Sequence, residues 1–135
     1  MADGDVRWQQ RFQNFEKAFV FFQKAVAMKS YNSIEVGGLV QAFEFTFELG
    51  WKTIKDFLYE QGWETRFPRE TIKEAFATEI IKHGHAWIEM LEKRNELSHT
   101  YNEEVAEHAV SVIKQKYFEA IEQVYEYLKA KMPND

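Results

Sequence analysis

One long amphipathic stretch decides the fold of this chain: residues 8–26, WQQRFQNFEKAFVFFQKAV. Within it, large apolar side chains recur at alternating steps of four and three residues. They are Trp8, Phe12, Phe15, Phe19, Phe22 and Val26. Because an α-helix has about 3.6 residues per turn, this spacing places all of them on one face. The stretch therefore predicts a long first helix, which fades at residues 30–33.

A second apolar stripe follows Ser33, a residue that we expect to cap the helix. It ends before Gly62, since glycine is typical of the position just past a helix C-terminus. Its members are Val36, Val40, Phe43, Phe47, Trp51, Ile54 and Leu58. A separate stripe is charged, and we interpret it as a mostly solvated or interfacial face: Glu44, Glu48, Lys52 and Lys55 or Asp56. Glu48 and Lys52 have the i,i+4 order that favours an ion pair.

The second half of the chain predicts a broken third helix and a long last helix. The third helix begins at Pro68, since proline suits the first turn of a helix. Its apolar side is marked by Ile72, Phe76 and Ile80. The sequence His-Gly-His at 83–85 interrupts it, and a helical pattern resumes from residue 86 to about residue 98. The last helix runs from residue 102 or 103 to about residue 131.

These segments together predict an all-α fold, an up-down four-helix bundle with a broken third helix. A length of 135 residues favours one domain, so we expect a single helical bundle domain over 1–135 with an ordered core of about 8–131. The chain also contains 12 Phe, 6 Tyr and 4 Trp. Rings in that number can fill a thick core or cover a subunit interface. We expect both, and therefore a homodimer.

Composition and charge narrow the function classes. The chain has no cysteine, which excludes disulfides and thiolate metal sites and fits a reducing compartment. The N-terminus has no basic region followed by an apolar run, and no apolar stretch is long enough to cross a membrane. We therefore expect a cytoplasmic protein that does not engage a membrane. A net charge of −5 disfavours non-specific nucleic-acid binding, because neutralisation of phosphates dominates that affinity.

The candidate functional residues lie close together near position 97, and they are Arg94, Asn95, Ser98, His99 and Tyr101. Arginine can hold a phosphate with two hydrogen bonds, and histidine can transfer a proton near neutral pH. On an ideal helix, however, Arg94 and His99 diverge by about 140°. They can meet at one ligand if the helix bends or ends near Ser98, or if a second protomer supplies one of them. The competing interpretation is that both only complement the negative end of a helix dipole.

Three segments of the sequence carry a resemblance, and they are residues 43–56 (FEFTFELGWKTIKD), 68–76 (PRETIKEAF) and 87–104 (WIEMLEKRNELSHTYNEE). They resemble the nucleotidyltransferase substrate-binding protein family, which belongs to the HEPN superfamily. The signature of that superfamily is an arginine followed, after four to six residues, by a histidine. Arg94 and His99 match it, and the resemblance extends from about residue 12 to residue 128.

This resemblance implies a binding subunit that pairs with a separate minimal nucleotidyltransferase, as the product of a two-gene module of the toxin–antitoxin kind. The partner would hold the metal ions and the nucleoside triphosphate. The present chain, with no cofactor of its own, would bind a nucleotide or another phosphate-bearing ligand, RNA included. The residues that would line its site are Arg94, Asn95, Ser98, His99 and Tyr101.

The resemblance also implies an alternative, because related HEPN proteins are metal-independent ribonucleases. In that case His99 would act as general base or acid at a ribose 2′-hydroxyl, and Arg94 would stabilise charge on the phosphate. Two such motifs would meet across a dimer. Tyr101 resembles the tyrosine that the nucleotidyltransferase partner modifies with adenylate, and it is the candidate modification site.

Other hypotheses have less support in the sequence. Glu96 and His99 fit the Glu-x-x-His element of di-iron bundles, but a second copy is missing. His83 and His85 flank a glycine, which favours an exposed turn over a zinc site. The sequence has neither a glycine-rich phosphate loop nor the catalytic site of a nucleotidyltransferase. A structural adaptor whose polar residues only cap a helix remains the third interpretation.

Overall fold

The computed structural model describes residues 3–97 and 102–133, with side chains from residue 7 onward. Within these residues the chain is helical and contains no strand, which confirms the all-α prediction. The elements, in order, are α1 (Asp3–Val26), α2 (Ser33–Glu60), α3 (Pro68–Ala77), α4 (Gly84–Leu97), α5 (Glu103–Val112), a π-helical turn (Ile113–Tyr117) and α6 (Phe118–Lys131). None of these helices is both long and apolar enough to span a bilayer.

The apolar stripes of α1 and α2 form the centre of the core, as their spacing predicts. The five rings of the α1 stripe and all seven members of the α2 stripe are buried, and Val26 is partly buried. The two helices lie close together at Gly50, where an added Cβ would stand 3.2 Å from Phe15 and 3.3 Å from Trp87. A side chain at this point of α2 would press on two buried rings, so glycine suits the position.

Asn32, and not Ser33, caps α2, so the predicted cap is wrong by one residue. The Asn32 side chain accepts a hydrogen bond of 2.8 Å from the backbone N–H of Glu35. In return the Glu35 carboxylate accepts one of 2.9 Å from the backbone N–H of Asn32. This reciprocal arrangement is a capping box, and it needs the acidic residue three positions after the cap.

The break in the third helix is confirmed, but it lies at residues 78–83 and not at 83–85, because Gly84 and His85 already belong to α4. The apolar side of α3 also differs from the prediction. Helix α3 ends at Ala77, and Glu79 adopts a positive φ of 66°, so the chain turns before Ile80. Phe76 lies within α3 and is 54% exposed, whereas Ile80 is buried after the helix has ended. The spacing of four residues predicts one shared face only within a continuous helix, and this helix ends before Ile80.

One residue of the predicted charged stripe on α2 is buried. Asp56 is 5% exposed, and its Oδ2 accepts a hydrogen bond of 2.6 Å from Nε of Arg11. The ion pair ties α1 to α2, and it compensates the buried carboxylate. The interpretation of a solvated face therefore fails at Asp56.

The last helix begins and ends where the sequence predicts, but it is not regular. Asn102 caps α5 by accepting a hydrogen bond of 2.9 Å from the backbone N–H of Val105. Residues 103–131 are helical throughout, with a π-helical turn at Ile113–Tyr117. A π-turn accommodates one extra residue within an α-helix.

Candidate functional site

Arg94 and Asn95 lie in the last turn of α4, close to its end at Leu97. Ser98, His99 and Tyr101 lie outside the described residues. Asn102, on the far side of that gap, is extended, with φ −125° and ψ 158°. Asn102 thus begins a separate helix, and the convergence of Arg94 and His99 stays a prediction because His99 lies outside the described residues.

Arg94 is held by two residues of α2. Its Nη1 lies 3.6 Å from Oε1 of Glu48, and its Cζ lies 5.7 Å from the centroid of the Phe47 ring. The first contact is an ion pair and the second is a cation–π contact. The Arg94 side chain nevertheless remains 30% exposed. It is therefore oriented by the protein and still accessible to a ligand from solvent.

Glu48 is itself fixed, since its Oε2 accepts a hydrogen bond of 2.5 Å from Nε1 of Trp51. The two oxygens of this carboxylate thus serve different partners, Trp51 and Arg94. The i,i+4 ion pair with Lys52 is not the contact that Glu48 makes. Tertiary packing of α4 on α2 supplies a partner that sequence spacing along α2 cannot indicate.

Glu44 lies one helical turn before Glu48 and is half-buried. Burial raises the pKa of its carboxyl above the ordinary value, and the charge of Arg94 acts in the opposite direction. One arginine therefore faces two carboxyl groups, of which one resists ionisation because water is partly excluded. An anion that reaches Arg94 competes with Glu48, and it meets less repulsion when Glu44 is protonated.

A second polar cluster, which the sequence did not predict, holds α4 against the last helix. Glu89 of α4 accepts hydrogen bonds from Nζ of Lys116 (2.6 Å) and from the hydroxyl of Tyr117 (2.7 Å). The hydrogen bond from Lys116 is the main cause that lowers the pKa of Glu89, and the one from Tyr117 acts in the same direction. Burial is the main reason why the pKa of Tyr117 is raised, and its ring stacks on Phe43 at 5.3 Å. The cluster positions the helix that carries Arg94.

An open cavity of about 740 Å³ lies between the start of α2 and the α5 region of the last helix. Its lining is mixed in polarity and includes Tyr31, Val36, Asn102, Glu107, Ser111 and Lys114. Nζ of Lys114 donates a 2.7 Å hydrogen bond to the carbonyl of Met28 and lies 5.1 Å from the Tyr31 ring centroid. The volume is within the range of small-molecule sites. Arg94 is not among the described residues that line this cavity.

The histidines of the described residues do not form a metal site. His83, His85 and His108 are exposed. Throughout residues 3–97 and 102–133, no group of three His, Cys, Asp or Glu side chains is arranged to hold a metal ion. His99, the ligand in the di-iron hypothesis, lies outside these residues.

Comparison with known proteins agrees with the helical architecture and with the resemblance noted in the sequence. The sequence profile of a family described as nucleotidyltransferase substrate binding protein like matches residues 10–130. A crystal structure of a protein from Thermus thermophilus is similar, with a TM-score of 0.77 and 27% sequence identity. The similarity covers 85% of this chain and 98% of that one. No curated protein matches the chain significantly. The profile spans nearly the whole length, and the chain therefore belongs to the nucleotidyltransferase substrate-binding protein family.

Proposed function

We propose that this chain is the substrate-binding subunit of a two-component nucleotidyltransferase. It pairs with a separate minimal nucleotidyltransferase, which holds the metal ions and the nucleoside triphosphate, and the two are encoded together in a toxin–antitoxin-like module. The subunit is one HEPN-like domain, an up-down four-helix bundle in which α3 and α4 together form the third member. It acts as a homodimer.

The observation that carries this proposal is that Arg94 is oriented by its neighbours and remains partly exposed. A guanidinium held over Phe47 and beside Glu48, yet 30% exposed, is oriented before a ligand arrives. Orientation in advance reduces the entropy lost on binding. Arginine at such a position favours a phosphate group, because its planar fork matches the phosphate oxygens. A nucleotide or another phosphate-bearing acceptor is therefore the ligand class. Asn95, Ser98, His99 and Tyr101 complete the proposed site.

The test has two independent measurements. Co-purification with a small nucleotidyltransferase encoded next to this gene, followed by light scattering on the eluted complex, tests the pairing. Titration calorimetry with AMP, on the complex and on the subunit alone, tests the site. We expect Arg94→Ala to weaken AMP binding at least tenfold and to leave the pairing intact.

Arg69→Ala is the matched control, because Arg69 also forms an exposed ion pair, with Nη2 3.2 Å from Oε2 of Glu92. It should leave AMP binding unchanged. Equal losses in both variants would mean that general positive charge, and not the Arg94 site, attracts the nucleotide. The proposal for the site would then be wrong.

A metal-independent ribonuclease is the second candidate function. The observation that favours it is again Arg94, because an oriented and partly exposed guanidinium can stabilise the charge that develops on a phosphate during cleavage. Expression of the wild type should then arrest growth and degrade RNA, and His99→Ala should abolish both effects. Co-expression of the nucleotidyltransferase should protect the cells and add adenylate to Tyr101, which mass spectrometry of the tryptic peptide detects. Intact RNA in cells that express the wild type alone would exclude this function.

A further inference from the structure

A second cavity, of about 320 Å³, lies at the end of the bundle where α2 and α6 end. Four aromatic side chains, from α1, α2, α6 and the loop after α2, contribute to its lining. They are Trp8, Phe57, Trp63 and Tyr127. Of the described residues that line it, Glu60 and Lys131 carry charge. Glu60 lies about 18 Å beyond Glu48 along α2, so this cavity is far from the contact between Glu48 and Arg94. We call it the aromatic cavity.

Three of the four rings are fixed by their contacts with one another. The ring centroids of Trp8 and Phe57 are 5.0 Å apart, and those of Phe57 and Tyr127 are 6.2 Å apart. Both pairs are edge-to-face, an arrangement that aromatic rings favour. Trp8 and Phe57 are also buried in the core. This part of the aromatic cavity is therefore rigid, and a ligand would not have to order it.

Trp63, the fourth ring, is positioned by the way in which α2 ends. Gly62 has a positive φ of 95°, and its backbone N–H donates to the carbonyl of Tyr59 at 3.0 Å. The backbone N–H of Trp63 donates to the carbonyl of Leu58 at 2.9 Å. These two hydrogen bonds form a Schellman motif, which fixes the backbone on both sides of the glycine. Trp63 nevertheless remains 52% exposed, so a ligand in the aromatic cavity can contact its indole.

A positive charge of the chain already lies against this lining. Nζ of Lys131 is 5.3 Å from the centroid of the Tyr127 ring, within the distance of a cation–π contact. Glu60 adds a carboxylate, one oxygen of which is buried. Ring faces and a carboxylate both attract cations. Lys131 is exposed and is the last residue of α6, so a ligand can displace its side chain from the ring.

The chemistry of the lining favours a quaternary ammonium group over a primary one. A primary ammonium group has three N–H donors, and each of them needs an acceptor once water is removed. A quaternary ammonium group has no N–H, and its methyl groups can lie directly on aromatic rings. The volume is at the lower end of the range for small-molecule sites. We propose that the aromatic cavity binds a small molecule that carries a quaternary ammonium group, with the cation against Trp63 and Tyr127 and near Glu60. This site is independent of the function proposed for Arg94.

The probe is choline, and its matched control is 3,3-dimethylbutan-1-ol, which has the same shape but a neutral carbon in place of the charged nitrogen. The chain has 4 Trp, whose indole N–H signals are resolved by NMR, and Trp63→Leu identifies the signal of Trp63. We expect choline to shift the Trp63 signal with a dissociation constant of about 1 mM. The neutral alcohol should bind at least about fivefold more weakly, because it lacks the cation–π contact. Equal binding of the two compounds, or a Trp63 signal that does not move, would overturn the proposal.

Calorimetric titration of variants gives a second measurement. Trp63→Leu should weaken choline binding at least about fivefold, since it keeps an apolar side chain but removes the ring. Phe67→Leu is the control, because Phe67 is also an exposed ring, at 67%, but is not among the described residues that line the aromatic cavity. Lys131→Ala should strengthen choline binding about twofold to threefold, because the competing ammonium group is gone. Wild-type affinity in Trp63→Leu, equal losses in Trp63→Leu and Phe67→Leu, or weaker binding in Lys131→Ala would contradict the proposal.

Discussion

Nη1 of Arg94 and Oε1 of Glu48 lie 3.6 Å apart, and this contact joins the end of α4 to the middle of α2. Both side chains are partly exposed, so solvent screens the pair and its contribution to stability is small. The contact orients the guanidinium of Arg94, which also lies over the ring of Phe47. Under the proposed function, this contact serves ligand recognition more than folding.

Loss of Arg94 should barely affect stability. We expect Arg94→Ala to lower the free energy of unfolding by less than about 1 kcal/mol, since the ion pair is exposed to solvent. Arg11→Ala should cost about 2 kcal/mol, because it leaves the buried carboxylate of Asp56 without its cation. Urea unfolding followed by circular dichroism measures both. A large loss for Arg94→Ala would instead assign this arginine a structural role.

Neutralising Glu48 should strengthen the binding of an anionic ligand. In Glu48→Gln the carboxylate no longer competes for Arg94, so we expect the AMP dissociation constant to fall about threefold to fivefold, equivalent to about 1 kcal/mol. Glu92→Gln, at the exposed pair with Arg69, is the control and should have no effect. Weaker binding in Glu48→Gln would show that orientation by Glu48 outweighs its competition.

Stability should fall in acid through Glu16 and Glu89. A hydrogen bond from Tyr125 is the main cause that lowers the pKa of Glu16, and one from Lys116 is the main cause for Glu89. Each folded pKa is thus below the ordinary value of 4.5. The stabilisation is complete above about pH 5.5 and is lost as the pH falls through the folded pKa.

The double variant Glu16→Gln/Glu89→Gln should therefore be less stable at neutral pH and should have a flatter profile between about pH 6 and pH 3. Denaturant unfolding at several pH values measures the profile. Glu44→Gln is the informative comparison, because the raised pKa of Glu44 makes its contribution change in the opposite direction. A double variant with the wild-type slope would show that other carboxyl groups govern the acid sensitivity.

Gly50→Val should destabilise the protein by about 2 kcal/mol. The added Cβ would stand 3.2 Å from Phe15 and 3.3 Å from Trp87, and both rings are buried and cannot move aside freely. Overpacking of this kind outweighs the better helix propensity of valine. Thermal unfolding measures the change. An unchanged midpoint would mean that α1 can move away from α2 at little cost.

The long helices could be predicted from sequence because their apolar residues are regularly spaced over many turns. The stripe from Trp8 to Phe22 has one periodicity and one buried face, so local pattern and tertiary packing agree. Phe76 and Ile80 show where that reasoning ends. They are one helical turn apart by number, but a residue with positive φ between them redirects the chain.

The surroundings of Arg94 could not be predicted in the same way. The sequence identified Arg94 as a candidate, but Glu48 is 46 positions away and has Lys52 at a favourable local spacing. Only the packing of α4 on α2 selects between these two cations. The burial of Asp56 has the same origin, since its partner Arg11 belongs to another helix.

The π-helical turn at Ile113–Tyr117 has a consequence for the number of residues that homologues should have in this segment. On a regular helix, consecutive side chains point about 100° apart, yet Lys116 and Tyr117 both reach the carboxylate of Glu89. A homologue with one residue fewer in this segment would have an uninterrupted α-helix, in which neighbouring side chains at these positions would diverge too far to share one carboxylate of α4. A one-residue alignment gap at 113–117 should therefore coincide with replacement of the acidic residue at position 89.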